Sequence, residues 1–249
     1  MRSTKIPGHH RQVTDHPPLS AAQRLLVMAS LVAGLCYPWL DGHLAPVAAI
    51  IAKGLGVGLL ALAALLMPGQ RWLAAILAAG ALGDVLLELP GGLVPGGGSF
   101  AIGHVIAMVF YVRNRRQPAL PVASIAAAAL ILYGLAMPAF VLPSGTPLGA
   151  VMLYAVLLCG MAAAALISRF PLALTAAGAL LFVLSDTFLV MRMGGRIIGT
   201  ATGHGLIIWY AYYLGQFGIF AGIVRSAPRL PMGTARLPMR RARLPVRPR

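Results

Sequence analysis

Two aspartates lie in segments where acidic residues are costly. Asp84 occurs in LGDVLLEL and Asp186 in LSDTFLV, both within long apolar runs. The chain has only five acidic residues, and of the other three only Glu88 shares such surroundings. An aspartate near the centre of a membrane helix costs roughly 2.5–3.5 kcal/mol, and acids kept there usually serve a function. We therefore take Asp84 and Asp186 as the candidate catalytic pair.

Two carboxyl groups brought together in an apolar setting could perform acid–base chemistry. Burial favours the protonated form of one acid, while its neighbour can remain ionised. Such a pair offers a proton donor and a proton acceptor, as in other hydrolases with two carboxylates. The spacing of histidines, cysteines and acids matches no metal-binding motif, and no cofactor is predicted.

Further polar residues within apolar segments could bind a substrate beside the two acids. They are Lys53, His104, Tyr154, Tyr212, Tyr213, His204 and Gln216. Structural roles remain open for each type, because lysine can extend to the membrane surface and histidine can begin a helix at the interface. Tyrosine is also common in the interfacial belt of membrane proteins.

The composition is that of a polytopic membrane protein. Hydrophobic residues make up 59% of the chain and charged residues 10%, which favours several membrane-spanning helices over a soluble domain. The apolar runs predict an all-α fold of eight transmembrane helices. The predicted spans are 22–40, 45–67, 72–89, 99–112, 120–142, 148–167, 172–191 and 203–224, the fourth being the shortest.

The distribution of positive charge predicts how these spans cross the membrane. Of the 20 lysines and arginines, 17 lie in the two tails or in loops on the same side of an eight-span arrangement. Both termini should then be cytoplasmic, in a plasma membrane or a bacterial inner membrane. The net charge of +15 is thus explained by the bilayer, and nucleic acid is not a predicted partner. The predicted organisation is a polar N-tail (1–20), a transmembrane domain (21–225) and a basic, disordered C-tail (226–249).

The two halves of the chain resemble each other at an offset of about 101 residues. LGDVLLEL at 82–89 matches LSDTFLVM at 184–191, and the Gly-His pair at 103–104 matches the pair at 203–204. Four spans in each copy would give both copies the same orientation. This internal repeat predicts that the two aspartates lie at similar depth near one another.

Four short motifs of the chain are similar to motifs of a known family. GDVLL in the third span, SDTFLV in the seventh, GHVIAMVFY in the fourth and YYLGQ in the last resemble the YhhN family, which includes the animal lysoplasmalogenases. The resemblance implies hydrolysis of the vinyl ether bond of a lysoplasmalogen, a lysophospholipid, to a fatty aldehyde and a glycerophospho-alcohol. It also implies that Asp84 and Asp186 are the catalytic groups.

Two other classes of function fit the same residues. Buried acids and histidines also occur in proton relays, so a proton-coupled transporter of a lipid or small molecule is the main alternative to the enzyme. The polar residues could instead only specify helix packing. Release of aldehyde from a lysoplasmalogen separates the enzyme from both alternatives.

Overall fold

Residues 19–118 and 120–226 are described by a computed structural model. They form eight α-helices and no β-strand. The helices are α1 (Ala21–Leu40), α2 (Pro46–Leu65), α3 (Arg71–Leu87), α4 (Leu93–Arg113), α5 (Pro121–Val141), α6 (Gly149–Ile167), α7 (Ala177–Met193) and α8 (Ala201–Arg225). A π-helical turn, Leu172–Ala176, leads directly into α7. The predicted N-tail and C-tail lie outside the described residues, apart from residues 19, 20 and 226.

The surface of the helical bundle is suited to lipid. Seven helices are long and apolar enough to cross a membrane, the exception being α3 with its 17 residues. Large apolar side chains face outward along the bundle, including Val94, Val122 and Phe140, each more than three-quarters exposed. An apolar surface of this extent would not be stable in water. The prediction of an all-helical polytopic membrane protein is therefore confirmed.

The predicted bounds of the fourth span are wrong. Its helix, α4, begins at Leu93 and has 21 residues, so it is longer than α3 and the three glycines at 96–98 are helical. Gly96 packs on Leu87 so closely that an added Cβ would lie 3.1 Å from the Leu87 backbone nitrogen. Pro95 falls in the first helical turn, where proline is tolerated. His104 consequently lies in the middle of α4 rather than at its beginning.

Glycines allow α7 and α8 to approach until their backbones touch. An added Cβ at Gly178 would lie 2.6 Å from the carbonyl oxygen of Gly215, and one at Gly215 would lie 2.7 Å from the carbonyl oxygen of Gly178. Such small-residue contacts are typical of close helix pairs in membranes. The contact fixes α7, which carries Asp186, against α8, which carries Tyr212.

Candidate active site

Asp84 is buried between α3 and α8. Its side chain is only 2% exposed, and its carboxylate accepts a hydrogen bond of 2.7 Å from the hydroxyl of Tyr212. Gly80, one turn earlier on α3, leaves space for the Tyr212 hydroxyl, which would lie 3.4 Å from an added Cβ there. A buried carboxyl needs such a partner, because desolvation without a hydrogen bond is costly.

Asp186 is held in the same way by a different helix. It is 6% exposed and accepts a hydrogen bond of 2.5 Å from the hydroxyl of Tyr154 on α6. The same hydroxyl lies 3.4 Å from Nε2 of His104 on α4, a residue that is itself 3% exposed. Residues from three helices therefore meet at this second acid.

Two phenylalanines connect the surroundings of the two acids. Phe182 packs edge-on against both Tyr212 and His104, with ring centroids 5.1 and 5.0 Å apart. Phe100 packs edge-on against Tyr212 at 5.6 Å and against Phe182 at 5.9 Å. We call Phe100 and Phe182 the aromatic wall. Sequence reasoning missed both, although each lies four residues before a candidate, His104 or Asp186, and so on the same helix face.

Gln216 borders a small cavity beside these groups. The residue is 2% exposed and lies one turn after Tyr212 on α8. A cavity of about 10 Å³ is lined by Gln216, His104 and the aromatic wall, among other residues. Neither aspartate lines it, so the two acids do not share an open pocket in this conformation.

Lys53 lies at the edge of the site rather than in its interior. Its ammonium group forms an ion pair with Glu88, which caps the C-terminal end of α3 one turn after Asp84. The two side chains are 17% and 33% exposed. This ion pair is therefore only partly buried.

His204 and Tyr213 make their contacts elsewhere. Nδ1 of His204 accepts a hydrogen bond from the backbone N–H of Ile198 at 3.2 Å, and Nε2 donates to the carbonyl of Phe188 at 2.8 Å. The hydroxyl of Tyr213 lies 3.0 Å from Oγ of Ser30 on α1. These bonds join helices and loops, and the structure does not bring either residue to the two acids.

Within the described part of the chain, no group of three or more histidine, cysteine and acidic side chains is arranged to hold a metal ion. The side chains of the candidate site carry carboxyl, hydroxyl, imidazole and amide groups.

These features define a polytopic helical membrane protein with two buried acids, each hydrogen-bonded to a tyrosine of another helix. The YhhN family matches residues 48–223, a range that includes every residue of the candidate site described in this subsection except Ser30. The chain therefore belongs to the YhhN family, as its motifs predicted. No curated protein matches the sequence, and no solved structure matches the chain.

Proposed function

We propose that this protein is a membrane hydrolase that cleaves the vinyl ether bond of a lysoplasmalogen-type lysophospholipid. Membership in the YhhN family supports a lysoplasmalogenase-like activity. The observation that supports the proposal is the burial of two carboxyls, Asp84 and Asp186, each of which accepts a hydrogen bond from a tyrosine. The aromatic wall adjoins the groups that hold them. A structural role alone does not require two acids in the interior, since apolar residues would pack there at lower cost.

The reaction needs both protonation states of a carboxyl pair. One aspartic acid transfers its proton to the β-carbon of the vinyl ether, and the double bond becomes an oxocarbenium ion. A water molecule adds to the cationic carbon and gives a proton to the other aspartate. The resulting hemiacetal collapses to the fatty aldehyde and the glycerophospho-alcohol, so the net consumption is one water. The rings of Phe100 and Phe182 would favour the cationic intermediate through their electron-rich faces.

The position of Lys53 fits a role in binding the lipid headgroup. Its ammonium group is partly exposed at the edge of the site and, among residues 19–118 and 120–226, is paired only with the partly exposed Glu88. A phosphate could replace that carboxylate, because lysine binds phosphate as a point charge. The headgroup would then stay at the membrane surface while the alkenyl chain reaches the buried acids.

The topology proposed for this function has eight spans. We include α3 because its 17 residues carry Asp84 and pack between α2 and α4, both of which are long enough to cross the bilayer. The positive charge of the sequence then places both termini in the cytoplasm. We also propose the internal repeat, since α3–α4 and α7–α8 are both close-packed helix pairs with an acid on the first helix and a histidine on the second.

A comparison of three lipids tests the proposed reaction. The purified protein is given lysophospholipids with identical headgroups and chain lengths that differ only in a vinyl ether, alkyl ether or ester linkage. We expect aldehyde release from the vinyl ether at least about tenfold above the protein-free rate, and none from the other two. Absence of aldehyde, together with proton-coupled uptake into liposomes, would replace the hydrolase by the transporter.

Neighbouring tyrosines on α8 provide a second test. Tyr212→Phe removes the hydroxyl that donates to Asp84, and we expect the rate of aldehyde release to fall about tenfold. Tyr213→Phe removes a hydroxyl that, within the part of the chain that the structure describes, bonds only Ser30. The rate of this variant should stay within about twofold of wild type while its melting temperature decreases. Equal rates for the two variants would show that the bond to Asp84 is not used in catalysis.

A further inference from the structure

Three aromatic rings, which we call the ring stack, lie on one another where α3 begins and α4 ends. The Trp72 ring lies nearly parallel to that of Phe110 at 6.2 Å, and Phe110 stacks on Phe170, beyond the end of α6, at 5.3 Å. The guanidinium carbon of Arg113 lies 5.2 Å from the centre of the Trp72 ring. That of Arg169 lies 5.9 Å from the centre of the Phe170 ring. A guanidinium held on a ring in this way keeps N–H donors at its edge for another ligand.

The α4–α5 and α6–α7 loops beside the ring stack are joined by their backbones. The N–H of Arg169 donates to the carbonyl of Asn114 at 2.8 Å, and the N–H of Arg116 donates to the carbonyl of Ile167 at 2.8 Å. Arg115 lies between the two bonded residues of its loop. The backbones of three further cationic positions, 115, 116 and 169, are therefore fixed next to one another.

The positive charge of this region is not neutralised within the described chain. Among residues 19–118 and 120–226, the one ion pair joins Lys53 to Glu88. Since α3 begins at the ring stack and ends before Glu88, that pair lies at the opposite end of the helix. Arg113, Arg115 and Arg169 are exposed. Exposed guanidinium groups without a carboxylate favour an anionic ligand, and phosphate matches their donor geometry well.

An apolar groove leads along α4 toward Arg113. It has a volume of about 330 Å³ and is lined by apolar residues of α4 and α6, namely Ala101, Ile102, Val105, Ile106 and Leu157. Ile106, Val109 and Arg113 follow one another at intervals of three and four residues, so they share one face of the helix. Val109, between the groove and the arginine, is itself exposed. The helix rises about 10 Å from Ile106 to Arg113, so an apolar surface suited to a hydrocarbon chain reaches the cationic region.

We propose that this surface binds one anionic phospholipid of the surrounding bilayer. An acyl chain occupies the groove on α4 and α6, and the headgroup lies on the arginines of the ring stack and of the joined loops. A soluble phosphate would use the arginines but would leave the groove empty. The two buried acids take no part in this site, and the proposal does not rest on the proposed hydrolysis. Binding should stabilise the protein, because the lipid contacts α4, α6 and both loops.

Titration with two lipids that differ only in the headgroup tests the proposal. The full chain in detergent receives dioleoyl phosphatidylglycerol, which is anionic, or dioleoyl phosphatidylcholine, and native mass spectrometry counts the bound lipid. We expect binding of phosphatidylglycerol to be at least about tenfold tighter, with a rise in melting temperature for that lipid alone. Glycerol 3-phosphate at the same concentration should not displace it. Equal binding of the two lipids, or displacement by glycerol 3-phosphate, would overturn the proposal.

Three variants locate the site on the protein. Arg113→Gln/Arg169→Gln removes both guanidiniums of the ring stack and should reduce the preference for phosphatidylglycerol at least about tenfold. The matched control, Arg24→Gln/Arg225→Gln, removes the same charge from exposed arginines of α1 and α8 that are not part of the stack; it should keep the preference within about twofold. Val105→Trp fills the groove and should weaken binding of both lipids at least about fourfold. Equal effects of the two double variants, or unchanged binding by Val105→Trp, would contradict the assigned site.

Discussion

Aldehyde release is expected to fall by about 100-fold or more when either buried aspartate is replaced by asparagine, the usual scale for loss of a general acid or base. Asp84→Asn and Asp186→Asn keep the shape of the side chain and an oxygen that accepts from the tyrosine, and they remove only the ability to exchange a proton. Because both protonation states are needed, the two variants should be similarly inactive, and the double variant little worse than either.

Asp41→Asn is the matched control for these variants. Asp41 is exposed just beyond the end of α1, and its carboxylate accepts a hydrogen bond from Tyr37 that asparagine can also accept. The rate of aldehyde release by Asp41→Asn should equal that of the wild-type protein. Melting temperatures should show that the two inactive variants are folded, since burying a neutral amide costs less than burying a charge. Near-full activity of Asp84→Asn or of Asp186→Asn would disprove the paired mechanism.

We expect a side chain at position 178 to disrupt the contact between α7 and α8. The Cβ of Gly178→Ala would lie 2.6 Å from the carbonyl oxygen of Gly215 and 2.9 Å from the backbone nitrogen of Ile219. Neither backbone group can rotate away, so the helices must separate. We expect a loss of about 1–3 kcal/mol in the free energy of unfolding. Activity should fall too, because the shift moves Asp186 and Phe182 on α7 relative to Tyr212 on α8.

Gly205→Ala supplies the comparison on α8. An added Cβ at Gly205 meets no atom within 4 Å, and alanine favours a helix over glycine by about 0.5–1 kcal/mol. Stability should therefore stay the same or rise slightly, with activity unchanged. The free energy of unfolding of both variants is measured in detergent under the same conditions. A Gly178→Ala protein as stable as wild type would show that α7 and α8 are not held by backbone contact.

The sequence identified the acids but could not select their partners. Asp84 and Asp186 stand out because charge is rare in apolar segments. Tyr212 and Tyr213 are adjacent and chemically identical, and successive side chains on a helix point about 100° apart. Only the packing of α8 shows that Tyr212 faces Asp84 while Tyr213 faces α1.

The two histidines show a similar limit of sequence reasoning. His104 and His204 occupy matching places in the two halves of the chain, yet His104 contacts Tyr154 and His204 contacts the backbone of Ile198 and Phe188. The difference arises because α4 begins at Leu93, eleven residues before His104, whereas α8 begins at Ala201, three residues before His204. In glycine-rich sequence, the residue at which a helix begins depends on tertiary contacts, which intrinsic helix propensity does not predict.

The closed interior of the bundle has a kinetic consequence. Both acids are nearly inaccessible, and the cavity beside them has a volume of only about 10 Å³, whereas a lysophospholipid is many times larger. The proposed hydrolysis therefore requires the helices to part before the scissile bond can reach a carboxyl, and openings of this kind often limit turnover. The thickness and fluidity of the surrounding bilayer would then govern the rate as strongly as the reacting groups do.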